Sequence, residues 1–328
     1  MTKFSRVLVV GGAGFIGSHI VDKLLNQDIE VIVLDNLYTG RVKNIEQCKG
    51  NRKPRFVHGD VRSLDLVKRL VKDVDAVFNE AAVVSVSRSL EDPILANEVN
   101  VGGTLNLLKA CLDSGGKRFV QASSASVYGD AETLPVLEDL APNPISPYAV
   151  AELAAENYAK VFHLNYGLET VCLRYFNVYG PRQTFSVYSG ATTIFLNKLS
   201  RDRRPIIFGD GNQTRDFVYV EDVVEANMLA LTNKKAVGET FNIATGKPNT
   251  INELVQNLQE KLGKQRLKPI HKLPRKGDIK HSYASIEKAK KILGYKPKFS
   301  LEKGITKLVE WYERASNQAR VERISKIS

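Results

Sequence analysis

The stretch VLVVGGAGFIGSHI, Val7 to Ile20, constrains the fold of this chain more than any other. Val7 to Val10 form a short apolar β-branched run. Gly11, Gly14 and Gly17 then fall at intervals of three, and Phe15 to Leu25 continue with helical apolar spacing. This order predicts a strand, a tight turn and a helix. The glycines let the backbone turn sharply and approach a ligand closely, while free N–H groups at the helix start favour a pyrophosphate. A second apolar run, VIVLD, ends at Asp35, where a carboxylate at a strand C-terminus can accept both hydroxyls of an adenosine ribose. Three glycines alone would mark no more than a turn; with the strand, the helix and the acid they point to dinucleotide binding.

At 328 residues and 43% hydrophobic content, the chain can bury one large core or two moderate ones. No run approaches the ~18 apolar residues of a membrane span, and the N-terminal residues carry no long apolar h-region with a small-residue cleavage site. The cytosol is therefore the expected compartment, with no membrane partner. Cys48, Cys111 and Cys172 are scattered, without metal-ligand or disulfide spacing, and read as packing residues with no metal site. The net charge of +11 is spread along the chain, which suits solvated helices and an anionic nucleotide ligand better than nucleic acid.

Beyond Asp35, PRFVHGD predicts a strand ending at Asp60, whose carboxylate suits either the adenine end of a dinucleotide or a cap on the next helix. A fourth strand is expected from Val74 to Ala82. One long helix is expected over SLEDPILANEVNVGGTLNLLKACLDSG, stopped by Gly115 and Gly116. RFVQASS and LETVCLRYFNV predict a fifth and a sixth strand, with a helix from Ser146 to about Tyr166 between them. Such alternation implies an α/β fold with a Rossmann-type doubly wound parallel sheet and ligands at the strand C-termini. After Tyr179 the pattern changes to turns, short strands and amphipathic helices, including ASIEKAKKILGY, and predicts a smaller α/β substrate lobe closing over those ends. The expected division is 1–176 with 216–246 for the dinucleotide domain and 177–215 with 247–316 for the lobe. A partly ordered tail follows from 317.

SSASVYG at Ser123 to Gly129 and SPYAVAELAAE at Ser146 to Glu156 complete the motifs. Together with the glycine loop, DNLYTG, GDV at 59–61, RYFNVYGPRQ at 174–183, FGDGNQTRDFVYVED at 208–222 and RKGDI at 275–279, they resemble the extended short-chain dehydrogenase/reductase family, and within it the NAD-dependent nucleotide-sugar epimerases. The resemblance implies NAD as cofactor, held by Gly11, Gly14, Phe15, Ile16, Gly17, Asp35, Asn36, Gly40, Asp60, Val61, Ala81, Ala82, Asn100 and Tyr148. It implies Tyr148 as the base at a sugar hydroxyl and Ser124 as a hydrogen-bond partner of the same oxygen, with 4-epimerisation passing through a 4-keto sugar. For the UDP-sugar it implies Ser85, Ser124, Ser126, Tyr148, Asn177, Arg215, Arg275, Asp278 and Ser282, the arginines suiting a diphosphate. It further implies a homodimer formed through the helices around Val99 to Ala110 and Tyr148 to Phe162.

One departure bears on turnover. The family has lysine four residues after the tyrosine, where this chain has Glu152. Positions i and i+4 share a helix face. The lysine ammonium helps lower the phenol pKa from its usual ~10, and a carboxylate pushes the other way. Lys160 lies ~18 Å further along the helix. The chain is therefore expected to bind cofactor and substrate better than it turns over, unless another cation fills the gap. Asn79, where relatives often have histidine, is a milder departure. By the same resemblance, Ser282, seven residues beyond Arg275, matches the position beside the sugar C2 substituent, where a small residue leaves room for N-acetyl groups, so UDP-GlcNAc and UDP-GalNAc are expected to fit, with UDP-glucose and UDP-galactose as further candidates. Ala125 and Ser126 stand where a 4,6-dehydratase needs an acid pair, and Ser126 also disfavours a UDP-glucuronate decarboxylase. UDP-glucuronate 4-epimerisation, or a non-catalytic sugar-nucleotide sensor with bound NAD, remain alternatives.

Overall fold

The computed structural model describes residues 4–46, 53–184, 190–274 and 279–324, with side chains to 317. Its first part runs β1 (Arg6–Val10), α1 (Phe15–Leu25), β2 (Glu30–Asp35), α2 (Lys43–Glu46), β3 (Arg55–His58), α3 (Leu64–Val71), β4 (Ala76–Asn79), α4 (Val86–Glu91), α5 (Pro93–Ala96), a π-helical stretch (Asn97–Gly102), α6 (Gly103–Asp113), β5 (Arg118–Ser124), α7 (Pro147–Tyr166) and β6 (Thr170–Tyr175). The second continues with β7 (Asn177–Tyr179), α8 (Ala191–Ser200), β8 (Ile206–Phe208), β9 (Thr214–Arg215), β10 (Phe217–Tyr219), α9 (Val220–Thr232), β11 (Thr240–Ile243), β12 (Asn249–Thr250), α10 (Ile251–Leu262), β13 (Ile270–Lys272), β14 (His281–Ser282) and α11 (Leu301–Ile324).

Seven strands form one parallel sheet in the order β11-β6-β5-β4-β1-β2-β3. Val7 to Val10 are at most 1% exposed because both faces are covered, which explains an unbroken apolar run where a one-sided sheet would alternate. Val7 and Val9 pack with Ile20 and Val21 of α1 and Val223 of α9. Leu8 and Val10 pack on the other face with Val67 of α3, Leu107 of α6 and Ala159 of α7. Each large apolar side chain so buried contributes about 1.5–3 kcal/mol. A third core joins Leu196 and Leu199 of α8, Leu254 and Leu258 of α10 and Ile305 and Leu308 of α11 to Tyr179 and Tyr219. No described helix is long and apolar enough to cross a membrane.

Several expected elements change. The predicted long helix is broken at Asp92, whose extended backbone (φ −141°, ψ 79°) precedes Pro93 and whose side chain caps α5 through Leu95 N at 3.0 Å. Proline has no N–H to continue a helix, so the break follows from Pro93 despite the apolar spacing across it. The fourth strand is shorter than Val74 to Ala82, since it pairs with β1 only at Val7–Val10, and β3 stops at His58, short of Asp60. The sixth strand divides at Phe176: β6 stays in the main sheet, while β7 leaves it to pair with β10. ASIEKAKKILGY holds only a short helical turn that closes as a π-helix at Ala289–Leu293, ended by Gly294 at φ 75°. α11 runs to Ile324, through the first part of the segment expected as a tail. Cys48 lies outside the described residues, and Cys111 and Cys172 are buried thiols.

Candidate active site

Gly11 leaves β1 with φ 75°, and a Cβ there would lie 2.8 Å from the backbone of Glu80 and Ala81 at the end of β4. A Cβ on Gly17 would stand 2.3 Å from Gly11 O, so the first turn of α1 presses against the loop. Gly14, the N-cap of α1, makes no side-chain cap. A Cβ on Gly14 would meet only Gly11 O, at 3.0 Å, so the space in front of the helix start is open to a phosphate. Phe15 and Ile16 open that helix and pack toward the third core.

Asp35 ends β2 at 8% exposure. Its Oδ2 accepts from Ala13 N at 2.9 Å and its Oδ1 from Leu37 N at 2.7 Å, and Gly40 lies so close that a Cβ would stand 2.8 Å from Oδ1. Burial pushes its pKa up, against these hydrogen bonds. Each oxygen keeps a second lone pair, the capacity a ribose diol requires. Asn36 donates to Asp60 Oδ2 at 3.0 Å. Asp60 also accepts from the backbone and guanidinium of Arg62, which hold its pKa at about 2. Ser63, and not Asp60, stands at the N-cap of α3. Val61 is buried where a Cβ on Gly103 would touch it at 2.5 Å, and Ala81 and Ala82 line the opening after β4. A cradle that side chains would fill, an open helix start and a carboxylate at the next strand end fit NAD, with the Gly11–Gly17 loop at its pyrophosphate and Asp35 at its adenosine ribose.

Tyr148 sits in the first turn of α7. Ser146 caps that helix through Ala149 N at 3.2 Å, Pro147 fills its first position, and Tyr148 N donates to the buried Ser89 hydroxyl at 3.0 Å. The phenol faces the Ser124 side chain at the end of β5, which opposes the rise in its pKa. Ser124 Oγ also accepts from Ser126 N at 3.1 Å, and the buried Ser126 hydroxyl has no partner of its own. Burial, and then Glu152, raise the phenol pKa well above its usual value, offset only by Ser124.

Glu152 is 4% exposed, one turn after Tyr148. Its Oε1 accepts from Asn100 Nδ2 at 2.7 Å, and Asn100 is oriented by accepting from Val83 N at 2.8 Å. Asn100, placed with the cofactor residues by sequence, thus also fixes Glu152. Burial and the nearby Glu156 push the Glu152 carboxyl up to about 8, so it is mostly protonated at neutral pH. Among the described residues, no cation is one of the groups acting on the phenol. The buried guanidinium of this region, Arg174, is held bidentately by Glu156 at 2.9 and 2.5 Å and donates to Tyr128 Oη at 2.8 Å. Lys160 is exposed.

Two acids escaped the sequence reading. Glu80, immediately after β4, accepts from Tyr175 Oη at 2.8 Å, and burial lifts its pKa to about 8. Asp216, fully buried, takes Thr245 N, Thr245 Oγ1 and Gly246 N at 2.8, 2.6 and 2.9 Å and so orders the loop after β11. Only three-dimensional contacts reveal either role. Asn79 donates to Thr104 and Gln121 inside the sheet and leaves its Oδ1 unpartnered.

At the substrate end, β14 pairs with β9 so that Ser282 stands directly beside Arg215, both partly buried. Arg215 Nη1 donates to Thr214 O at 2.8 Å. Asn177 opens β7 where its N–H meets Asp216 O at 3.0 Å. Ser85 caps α4 by accepting from Arg88 N at 3.1 Å. Arg275 and Asp278 lie outside the described residues. Among the described residues, no group of three or more His, Cys, Asp or Glu is arranged to hold a metal.

The chain is similar to a UDP-glucose 4-epimerase of Mycolicibacterium smegmatis, 38% identical over 95% of this chain and 99% of that protein. Among solved structures it is similar to Thermotoga maritima UDP-glucose 4-epimerase with UDP-glucose, 40% identical over 94% of this chain and 99% of that one, with a TM-score of 0.89. It is also similar to a UDP-N-acetylglucosamine 4-epimerase of Methanobrevibacter ruminantium in complex with UDP-N-acetylmuramic acid, 36% identical over 96% and 100% of the two chains, with a TM-score of 0.90. The family described as NAD dependent epimerase/dehydratase matches residues 7–244. With that span and these likenesses, the chain belongs to the NAD dependent epimerase/dehydratase family, and NAD is its cofactor.

Proposed function

We propose that the chain carries out 4-epimerisation of a UDP-hexose, with UDP-GlcNAc and UDP-GalNAc as its preferred pair and a turnover held down by Glu152. The observation that carries this reading is the placement of Tyr148, in the first turn of α7, next to Ser124 at the strand ends that also bear the glycine loop. Tyr148 takes the proton of the sugar 4-hydroxyl and later returns it, while Ser124 holds the same oxygen. Bound NAD supplies a reversible hydride acceptor for the sugar carbon. Ser126, with its free buried hydroxyl, lies two residues further and is available to the sugar. Arg215 serves the diphosphate, and Ser282 beside it leaves space for an N-acetyl group. Arg275 and Asp278 complete this grip on the nucleotide.

The division into a dinucleotide domain and a lobe is part of the same proposal, supported by the separate third core. So are a cytoplasmic location and a homodimer. Pairing is supported by exposed apolar side chains on α4, α5 and α7, including Leu90, Ile94, Val150 and Val161. The expected contact through the helices around Val99 to Ala110 and Tyr148 to Phe162 is part of this proposal, with α4 and α5 beside them. The test is interconversion of UDP-GlcNAc and UDP-GalNAc with NAD+ by the chain and by Glu152→Lys. Turnover that appears or rises in the lysine form supports the proposal. Silence of both forms on this pair and on UDP-glucose, with NAD still bound, overturns it in favour of a sugar-nucleotide sensor.

A further inference from the structure

Topology fixes which half of the dinucleotide lies where. Asp35 closes β2 and the glycine loop closes β1, so the adenosine half belongs to that flank and the nicotinamide half to the ends of β4 and β5. Two carboxyls approach those ends from opposite faces of the sheet. Glu80 turns toward α9, where Tyr175 donates to it at 2.8 Å and Asn227 Nδ2 donates to Tyr175 Oη at 2.8 Å. Its backbone is the wall against which Gly11 is pressed. Glu152 hangs from α7 on the other face, held by Asn100.

Around Glu80 stand Tyr175, Asn227 and Glu152; around Glu152 stand Tyr148, Asn100, Glu156 and Glu80. None of these groups is a cation, and the Arg174 guanidinium behind them is taken up by Glu156. Among the described residues, the local charge therefore has a fixed sign. It is negative or zero, depending on how many protons the two free acids carry.

Resting on the assignment of NAD as cofactor, we propose that Glu80 and Glu152 together make this pocket prefer the oxidised dinucleotide, whose nicotinamide ring is positively charged, over the reduced one, whose ring is neutral. The pyrophosphate and both riboses are common to the two forms, so the preference comes from the ring alone. Burial leaves both carboxyls mostly protonated at neutral pH, each titrating at about 8. A cationic ring draws them toward ionisation, so NAD+ binding releases protons, and binding of the neutral ring releases none. The ionised acids are the ones that favour the cation. NAD+ affinity thus rises with pH up to about 8 and then levels off, by at most about tenfold per pH unit for each proton released. NADH affinity stays flat.

The test is calorimetric titration of the full chain, freed of bound nucleotide, with NAD+ and separately with NADH from about pH 6 to about pH 9. Two buffers of different ionisation enthalpy count the protons. The expected result is proton release with NAD+ alone, and a ratio of NADH to NAD+ dissociation constants that widens at least about tenfold over this range. Glu80→Gln and Glu152→Gln, which keep shape and hydrogen bonding, are each expected to narrow the ratio at high pH, with unchanged NADH binding reporting an intact pocket. Two nucleotides that bind with a ratio independent of pH overturn the inference and leave the cofactor assignment standing. A ratio unmoved in both variants also overturns it. Failure of both nucleotides to bind overturns the inference and the cofactor assignment together.

Discussion

Replacing Glu152 by lysine puts a unit positive charge beside the phenol, where the protonated carboxyl of the free chain carries none, and leaves the other contacts of Tyr148 in place. Side chains at i and i+4 stand about 5–6 Å apart at their Cβ atoms. A unit charge at about 5.5 Å, with an effective dielectric constant of about 20, is worth about 3 kcal/mol, or about two pKa units. Where the phenolate fraction limits the rate, kcat in the lysine form rises by up to about a hundredfold. The assay is initial rate of UDP-GlcNAc to UDP-GalNAc conversion across pH, at matched NAD occupancy. Glu152→Gln supplies the control that fixes the sign. Because the carboxyl titrates at about 8 in the free chain and is drawn lower by bound NAD+, the Gln form and the unmodified chain have similar rates only at the acidic end of the profile. Above that, ionised Glu152 pushes the phenol further up, and the Gln form becomes the faster of the two. A lysine form that folds, binds NAD+ and shows no gain refutes the claim that a missing cation limits turnover. A Gln form already much faster at the acidic end of the profile refutes the protonated state of Glu152.

Three other changes have definite expected outcomes. Tyr148→Phe removes the proton carrier and should cut turnover by about 10²–10⁴ while calorimetry shows NAD+ binding intact. Arg174→Met strands Glu156, which is 5% exposed, without its counter-ion and should cost about 3–5 kcal/mol in urea unfolding; adding Glu156→Leu should recover most of that loss. Ser282→Tyr closes the space beside Arg215 and should lower kcat/KM for UDP-GlcNAc relative to UDP-glucose by at least about tenfold.

What the sequence made legible was local. The Val7–Ile20 turn, the Asp35 terminus of β2 and the Ser146–Pro147 start of α7 each depend on residues a few positions apart, and each forms as the spacing predicts. The break at Pro93 had its signal in the chain, but apolar periodicity continues across it and masks the missing N–H. Glu80 could not be read at all. It follows an apolar strand as an ordinary polar terminus would, and its hydrogen-bond donor Tyr175 is 95 residues away. The same holds for the bond from Asn100 to Glu152, which spans 52 residues, and for Asp216, which meets Thr245 and Gly246 across a separation of about thirty. A carboxylate's protonation depends on such distant partners. The sequence could therefore show that Glu152 stands in the lysine position, but not that its carboxyl carries a proton there.

The geometry of α7 explains why, among the described residues, no other cation has taken over that position. Tyr148, Glu152 and Glu156 recur every four residues and line one helix face, which runs from the cleft into the sheet. Glu156 is nearly free of solvent and needs a guanidinium; Arg174 of β6 reaches it with two hydrogen bonds and donates from Nη1 to Tyr128 and Glu138 O. Pulling Arg174 up toward Tyr148 would strand a buried carboxylate, a loss of about 3–5 kcal/mol against a gain of about 3 kcal/mol at the phenol. The exchange is unfavourable, so the guanidinium stays where it is. Glu152, between a neutral phenol and an already compensated carboxylate, keeps its proton and hydrogen-bonds to Asn100. Restoring a cation to this face therefore requires one at position 152 itself, since the charge already present in the core is bound to the stability of the fold.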